Sequence, residues 1–262
     1  MVIRVLRRTV LFGAALGAWA ISAMSALAEE PKVYPNVGPP ASKLKPIQVL
    51  LVTGVDLHNW RETSPVLVQQ LQKDPRIEVR MVEDPHFLDS AALDRYQVIF
   101  LHFMNWKVPA PGEAARANLT RAVESGKGLV LAHFACGAWL EWPGFVELAG
   151  RVWNPKLRGH DPRGPFRIDI AMPEHPVMRG MTPFEANDEL YTCTEGAPPI
   201  QVLATATSKV DQKVYPMAFI LECGKGRVFH CLLGHDAKAM QIDGVGELFR
   251  REIGRASCRE RV

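Results

Sequence analysis

The chain has 262 residues, with 31 lysines and arginines against 28 aspartates and glutamates, and a formal net charge of +3. Residues 1–28 hold three arginines, and residues 253–262 hold three arginines and one glutamate. The remaining 25 basic and 27 acidic residues form a nearly neutral domain, which argues against nucleic acid or another polyanion as its partner.

The N-terminal part of the chain has the pattern of a secretory leader. A basic start at residues 4–8 precedes an apolar run at residues 10–23, and Ala26-Leu27-Ala28 has the small residues of a cleavage site. We therefore expect a signal peptide at residues 1–28, a periplasmic or secreted location, and no stable membrane insertion after cleavage; the alternative is an uncleaved anchor. The prolines of residues 29–46 predict an extended linker without regular structure.

The other end of the chain is suspect as protein sequence. Residues 253–262 resemble the translation of a short-read sequencing adapter, so we expect the domain to cover residues 47–252 and to be truncated at its C-terminus. A domain of this length can bury a sufficient core without disulfides. Because no CxxC spacing occurs, we expect no structural zinc cluster, and the disulfide state stays open for the four cysteines Cys136, Cys193, Cys223 and Cys231.

Apolar runs alternate with helical patterns through the first half of this domain. Strands are predicted at residues 47–53, 77–82, 98–103 and 129–132, and helices at residues 61–73 and 113–125. Strand-like segments then follow at residues 166–171, 201–205, 217–222 and 227–233, before a closing helix at residues 243–251. The pattern predicts an α/β fold, with a doubly wound, mainly parallel sheet and an antiparallel extension in the C-terminal half.

Polar residues follow several of these strands. His58 comes after the first strand, His133 after the fourth and His235-Asp236 after the last, while Asp188-Glu189 precedes Tyr191. Because the carboxyl ends of parallel strands share one edge, we expect these groups to converge there. The alternative is that each one caps a strand or satisfies a loop hydrogen bond.

A shared site would contain His58, His133, Glu189 and His235. Imidazoles with a carboxylate suit a divalent metal, with zinc favoured, or acid–base chemistry near neutral pH. His102 and His230 lie in apolar runs and are expected in the core, whereas His160 lies in a loop and could line a pocket. Tryptophans near the strand ends would suit stacking on a sugar ring, although burial is their usual role: Trp60, Trp106, Trp139, Trp142 and Trp153.

The end of the fourth strand also suggests a nucleophile. Many α/β enzymes place one at such a strand-to-helix elbow, and here the elbow residue is His133, with Cys136 three residues later. A hydrolase that uses Cys136 with His235 is therefore a weaker alternative.

Four motifs in this order resemble the ThuA-like (trehalose utilisation) domain over residues 47–251. They are Gly126–His133, His175-Pro176 ahead of Gly180, Asn187–Tyr191, and the stretch from Gly224 to Asp236. The resemblance implies a flavodoxin-like fold of the class I glutamine amidotransferase type. That superfamily has cysteine at the elbow and His-Pro-Glu after a late strand, so His133 and Gly-His-Asp argue against glutamine hydrolysis.

The resemblance also implies a function. It implies a link to trehalose and related disaccharides through 3-keto-sugar intermediates, so we expect a periplasmic enzyme whose partner is a small carbohydrate. Catalysis is expected from His235, Asp236 and His133, and substrate binding from His58, Trp60, Asp188, Glu189, Tyr191 and His160. The second hypothesis is a carbohydrate-binding protein without catalysis. The sugar, the reaction and the oligomeric state stay open.

Overall fold

The computed structural model describes residues 33–34, 46–55 and 57–256. The predicted signal peptide, most of the predicted linker and residues 257–262 lie outside this part of the chain. Among the described residues, no helix combines the length and apolar composition needed to span a bilayer.

The described residues form twelve strands and five α-helices. The strands are β1 (Val33–Tyr34), β2 (Ile47–Val52), β3 (Ile77–Val82), β4 (Val98–Leu101), β5 (Gly128–Ala132), β6 (Val152–Trp153), β7 (Gly164–Ile170), β8 (Phe184–Asp188), β9 (Thr194–Glu195), β10 (Gln201–Thr207), β11 (Val214–Cys223) and β12 (Gly226–Cys231). The helices are α1 (Trp60–Leu71), α2 (Glu113–Glu124), α3 (Phe145–Ala149), α4 (Ala237–Met240) and α5 (Asp243–Ala256). Short 3₁₀ helices cover Pro85–Asp89, Ala91–Arg95 and His133–Gly137.

Ten of these strands form one sheet, in the order β1-β3-β2-β4-β5-β12-β11-β10-β7-β8. The five strands from β3 to β12 are parallel, and numbered along the chain they follow the flavodoxin-like order 2-1-3-4-5. The strands from β11 to β8 extend the sheet with antiparallel pairs. The predicted α/β fold, with a parallel core and an antiparallel extension, is confirmed.

Two hydrophobic cores lie on opposite faces of the sheet. Because side chains alternate along a strand, β2 sends Val49 and Leu51 into one core and Leu50 and Val52 into the other. The first core is covered by α1 and α5, and the second by α2, α3 and the 3₁₀ helices. A parallel sheet buried on both faces explains why its strands are continuous apolar runs.

Several elements differ from the predictions. Strand β8 was not predicted, because Phe184–Asp188 has only two apolar side chains and ends in polar residues. Val33–Tyr34 lies in the predicted linker but pairs with Met81 and Val82 of β3 at the open edge of the sheet, where an extended segment finds unpaired backbone groups. Residues 253–256 continue α5, and Ile253 is fully buried.

The antiparallel extension curls back towards the parallel core. Each of the four steps from β12 to β8 reverses the strand direction, so β8 runs parallel to β12 and its carboxyl end points to the same edge. Four steps of about 4.8 Å would separate these strands widely in a flat sheet. Instead, Asp188 at the end of β8 lies 2.6 Å from the backbone nitrogen of Gly234, just beyond β12.

Candidate functional site

Four side chains from four parts of the chain meet at the carboxyl edge of the sheet. His58 follows β2, His133 follows β5, Glu189 follows β8 and His235 follows β12. Each offers one nitrogen or oxygen atom, and these four atoms all lie within 4.8 Å of one another. We call these four residues the histidine cluster. The structure thus brings together the four residues that were predicted to share a site.

His133 occupies a strained elbow immediately after β5. Its φ angle is +45°, in the left-handed region that non-glycine residues seldom adopt. Its Nδ1 lies 2.8 Å from the backbone oxygen of Leu232, and since a carbonyl can only accept, Nδ1 carries the proton. In the neutral ring, Nε2 then accepts from the hydroxyl of Tyr191 at 2.9 Å. The Leu232 carbonyl therefore fixes which nitrogen faces the cluster.

His58 is held by ring contacts rather than by hydrogen bonds. It stacks on Phe134 with ring centroids 4.4 Å apart, and it meets the rings of His133 and His235 edge-on at 5.1 and 5.0 Å. Its Nδ1 is buried and has no hydrogen-bond partner among the described residues. Burial, together with the neighbouring histidines, lowers the pKa of His58 to about 3, so its imidazole is neutral at physiological pH.

Glu189 lies between the imidazoles. Its carboxylate is 3.1 Å from His235 Nδ1, 3.6 Å from His133 Nε2 and 3.7 Å from His160 Nε2. Burial opposes its ionisation, but His133 and His235 outweigh burial and bring the pKa of Glu189 well below its usual value. The Glu189 carboxylate in turn raises the pKa of His235. The Nδ1 atom of His235 nevertheless lacks a well-directed hydrogen bond, so this contact is mainly electrostatic.

Asp188 holds the backbone of two cluster residues in place. It is fully buried, and its carboxylate accepts hydrogen bonds from the backbone nitrogens of Gly234, Glu189 and His235 at 2.6, 2.8 and 3.1 Å. One side chain therefore ties the end of β8 to the turn after β12. Asp188 was predicted to bind substrate, but all of these partners are backbone groups of the protein.

Three other predicted site residues have different surroundings. His160 reaches the cluster, because its Nδ1 bonds the backbone oxygen of Asp161 and its Nε2 faces Glu189. Asp236 instead caps α4 through the backbone nitrogen of Ala239 and pairs with Arg163. Trp60 begins α1, and only 4 % of its surface is exposed. Its indole therefore has no free face on which a sugar could stack.

The cysteines do not present a reactive thiol at the cluster. Cys136 is fully buried in the 3₁₀ helix that follows the elbow, and burial raises the pKa of its thiol well above the usual value. Because the thiolate is the nucleophile, this environment disfavours the predicted alternative of a Cys136 hydrolase. All four cysteines of the described chain are free: Cys136, Cys193, Cys223 and Cys231.

Two supporting groups of the site were not predicted from the sequence. The Phe134 ring stacks on the His58 ring, and its centroid lies 4.6 Å from the centroid of the buried His102 ring. His102 is itself held by Ser64, which bonds Thr53 in turn. Neither Phe134, an apolar residue after the elbow, nor Ser64, a serine within α1, has a sequence pattern that predicts contact with a site histidine. The predicted core positions of His102 and His230 agree with their complete burial.

The histidine cluster has the donor set of a divalent metal site. Three imidazoles and one carboxylate are ligands that zinc accepts. Within the part of the chain that the structure describes, His58 and His235 each leave a buried Nδ1 without a hydrogen bond, which is costly unless another partner binds it. The bond from His133 Nδ1 to a backbone carbonyl is typical of a histidine that ligates through its other nitrogen. The residues therefore fit such an ion.

Comparison with known proteins agrees with this architecture. The sequence profile of the ThuA family, described as trehalose utilisation, matches residues 48–253. A ThuA-like protein from Parabacteroides merdae is 25 % identical, with a TM-score of 0.72 over 83 % of this chain and 93 % of its own. A ThuA-like protein from Bacteroides uniformis is 20 % identical, with a TM-score of 0.64 over 85 % and 96 %.

The same fold also forms part of larger enzymes. A β-galactosidase from Rahnella sp. R3 is 11 % identical, with a TM-score of 0.56 over 80 % of this chain but 32 % of its own. At this identity the likeness shows the fold alone. Comparison with the curated proteins gives no match.

Proposed function

The chain belongs to the ThuA family of trehalose utilisation, and we propose that it is an enzyme that acts on a disaccharide or a 3-keto-glycoside in the periplasm. The observation that carries the proposal is the convergence of three imidazoles and a carboxylate, whose donor atoms lie within 4.8 Å of one another. Titratable groups with shifted pKa values are typical of catalytic sites, whereas sugar binding alone does not require them.

We assign His58, His133 and Glu189 as ligands of a divalent cation, with zinc favoured. A catalytic zinc commonly has three protein ligands and an open position. The neutral imidazole of His58 and the ionised carboxylate of Glu189 are already in the protonation states that metal ligands require. When bound, the cation supplies a Lewis acid that polarises a substrate oxygen.

His235 is the proton-transfer residue of this proposal. Histidine changes its charge near neutral pH, and the His235 imidazole lies 3.1 Å from the Glu189 carboxylate of the cluster. A 3-keto group acidifies the adjacent C–H bond of a sugar. His235 takes that proton, a carbon–carbon double bond forms as the glycosidic C–O bond breaks, and His235 returns the proton to the leaving oxygen.

The Tyr191 hydroxyl competes with the proposed cation for His133. Its hydroxyl occupies the Nε2 lone pair of His133, and one lone pair cannot serve both a hydroxyl and a cation. Cation binding through His133 therefore requires Tyr191 to release this hydrogen bond. The freed hydroxyl is then available to a substrate oxygen.

The test separates metal binding from catalysis. Protein purified without chelator is analysed for metal and incubated with 3-keto-trehalose and related keto-disaccharides, and product is followed by mass spectrometry. His58→Ala should lose both metal and turnover, whereas His235→Ala should keep the metal and lose turnover. His86→Ala is the matched control, because the His86 side chain is exposed and pairs with the nearby Asp89. Unchanged turnover in His235→Ala contradicts the proposal.

A further inference from the structure

A groove lies at the carboxyl edge of the sheet, between the loop that follows β4 and the residues that follow the 3₁₀ helix His133–Gly137. Trp106, in the loop after β4, opens onto it with 42 % of its surface exposed, more than any other tryptophan of the described chain. Val108 and Leu140 add apolar surface, and Arg116 and Glu141 line the groove with charge. Open α/β sheets bind ligands where the strand order reverses, which here lies between β2 and β4.

The indole of Trp106 is fixed although it is exposed. Its Nε1 donates to the backbone oxygen of Gly137 at 2.9 Å. Gly137 permits this approach, because a Cβ there would lie 3.2 Å from Trp106 Nε1 and 3.1 Å from Met104. A ring that is already immobilised loses little entropy when a ligand stacks on it. This rigidity distinguishes Trp106 from a mobile surface side chain.

A chain of ring contacts connects Trp106 with the histidine cluster. Trp106 meets Trp153 edge-on at 5.2 Å, and Trp153 meets Tyr191 edge-on at 5.3 Å. Tyr191 lies 4.4 Å from His133, again between ring centroids. Together, these three steps place the Trp106 ring at most about 15 Å from the His133 ring. A carbohydrate of two sugar rings is the smallest one that we expect to contact both.

The polar side of the groove offers hydrogen bonds to a sugar. Arg116 bonds Glu141 at 3.2 Å, and both side chains are partly exposed. The Nε atom of Arg116 is buried, and no described residue forms a hydrogen bond with it. A planar guanidinium and a carboxylate beside an aromatic face match a sugar ring, which has an apolar C–H face and a hydroxyl rim.

We propose that this groove is a second sugar subsite, in which Trp106 stacks on the ring of a disaccharide that is remote from the reacting centre. The inference rests on the proposed function, since it assumes a carbohydrate substrate. It makes Trp106 a specificity residue that selects disaccharides over single sugars. The buried Trp60, which was expected to stack on sugar, has no part in it.

The experiment compares the binding of trehalose and glucose by saturation-transfer NMR titration. Wild-type protein should bind trehalose more tightly than glucose, and Trp106→Ala should weaken trehalose binding roughly five- to tenfold while glucose binding stays unchanged. Trp106→Phe should retain most of the preference. Val210→Ala, an exposed apolar substitution in the turn before β11, is the control. The thermal midpoint of each variant verifies folding.

Four outcomes overturn the inference. Trehalose binding survives Trp106→Ala, wild-type protein binds both sugars equally, wild-type protein binds neither sugar, or light scattering shows an oligomer that dissociates on Trp106→Ala. The last result would mean that a second copy of the chain covers the groove. Failure of the proposed function differs, because it appears as turnover that survives His235→Ala whatever Trp106 contributes to binding.

Discussion

Replacing Asp188 by asparagine removes a charge from beneath the histidine cluster without changing the size of the side chain. The carboxylate accepts three backbone hydrogen bonds, from Gly234, Glu189 and His235, and it is fully buried. The amide keeps one acceptor oxygen, but its NH₂ group must face backbone N–H donors. At least one buried donor is then unpaired, and the remaining bonds lose their charge.

The expected cost follows from these bonds. A hydrogen bond to a charged group contributes about 1.5–3 kcal/mol, and an unpaired buried donor costs about 1–3 kcal/mol. We expect Asp188→Asn to lower the free energy of unfolding by about 3 kcal/mol. For a domain of this size each kcal/mol shifts the thermal midpoint by about 2–4 °C, which predicts a decrease of roughly 6–12 °C. Turnover should fall too, because Glu189 and His235 lose their common anchor.

Circular dichroism melts with and without chelator provide the assay. Asp169→Asn is the matched control, because Asp169 is a half-exposed carboxylate on β7 that pairs with Arg167 at the surface. An exposed pair of this kind contributes at most about 1 kcal/mol. If Asp188→Asn melts no earlier than Asp169→Asn, then Asp188 does not hold the site together and this reasoning is wrong.

Three further predictions concern acid, tyrosine and cysteine. Burial lowers the pKa of His102 to about 3 and the pKa of His230 to about 4, so below pH 6.5 the unfolded chain binds more protons than the folded one. The free energy of unfolding should therefore decrease by about 1.4 kcal/mol for each buried histidine and each unit by which the pH drops below 6.5. His230→Phe should remove one of these contributions, which urea unfolding at pH 7.5 and pH 5 would show. A slope that His230→Phe leaves unchanged speaks against this assignment. Tyr191→Phe should bind zinc at least as tightly as wild type, because it removes a competitor for a ligand nitrogen, yet turn over more slowly; weaker zinc binding in a titration would argue against this role. Iodoacetamide should modify the half-exposed Cys223 before the buried Cys136, as followed by mass spectrometry, and activity that is lost in step with Cys136 modification would revive the thiol mechanism.

The sequence predicted the parallel core because buried strands and amphipathic helices leave local patterns. Its βαβ alternation also placed His58 and His133 at one edge, as the structure has them. The predicted strand at residues 98–103 ends at Leu101, which is paired with Val52 at the end of β2, although the backbone nitrogen of His102 still bonds the backbone oxygen of Val52. Such an end depends on tertiary partners, which an apolar run does not reveal.

The sequence also placed Glu189 and His235 in the site, but it did not predict how the chain brings Glu189 there, because that depends on long-range geometry. Glu189 reaches the cluster because the extension curls and brings the end of β8 to the turn after β12. Nothing within Phe184–Asp188 announces that curvature. The distinction between the buried Trp60 and the exposed Trp106 likewise comes from packing, since both follow strands of the parallel core.

The strand register explains how the elbow after β5 orients the imidazole of His133. Cys231 pairs with Ala132 in the parallel register of β5 and β12, so the next residues of both strands, His133 and Leu232, are adjacent. This register places the Leu232 carbonyl against Nδ1 and turns Nε2 towards the cluster. The strained φ angle of a non-glycine residue costs on the order of 1–3 kcal/mol, and it aims an imidazole where a nucleophile elbow aims a thiol or hydroxyl.

The carboxylate of the site also comes from an unexpected strand. In Gly234-His235-Asp236 the adjacent acid was expected to share proton transfer with His235, but Asp236 caps α4 and pairs with Arg163. Glu189, which follows β8, takes the position beside His235. The contact between Glu189 and His235 is therefore formed across the curled sheet, and the Asp188 carboxylate bonds the backbone nitrogens of both residues.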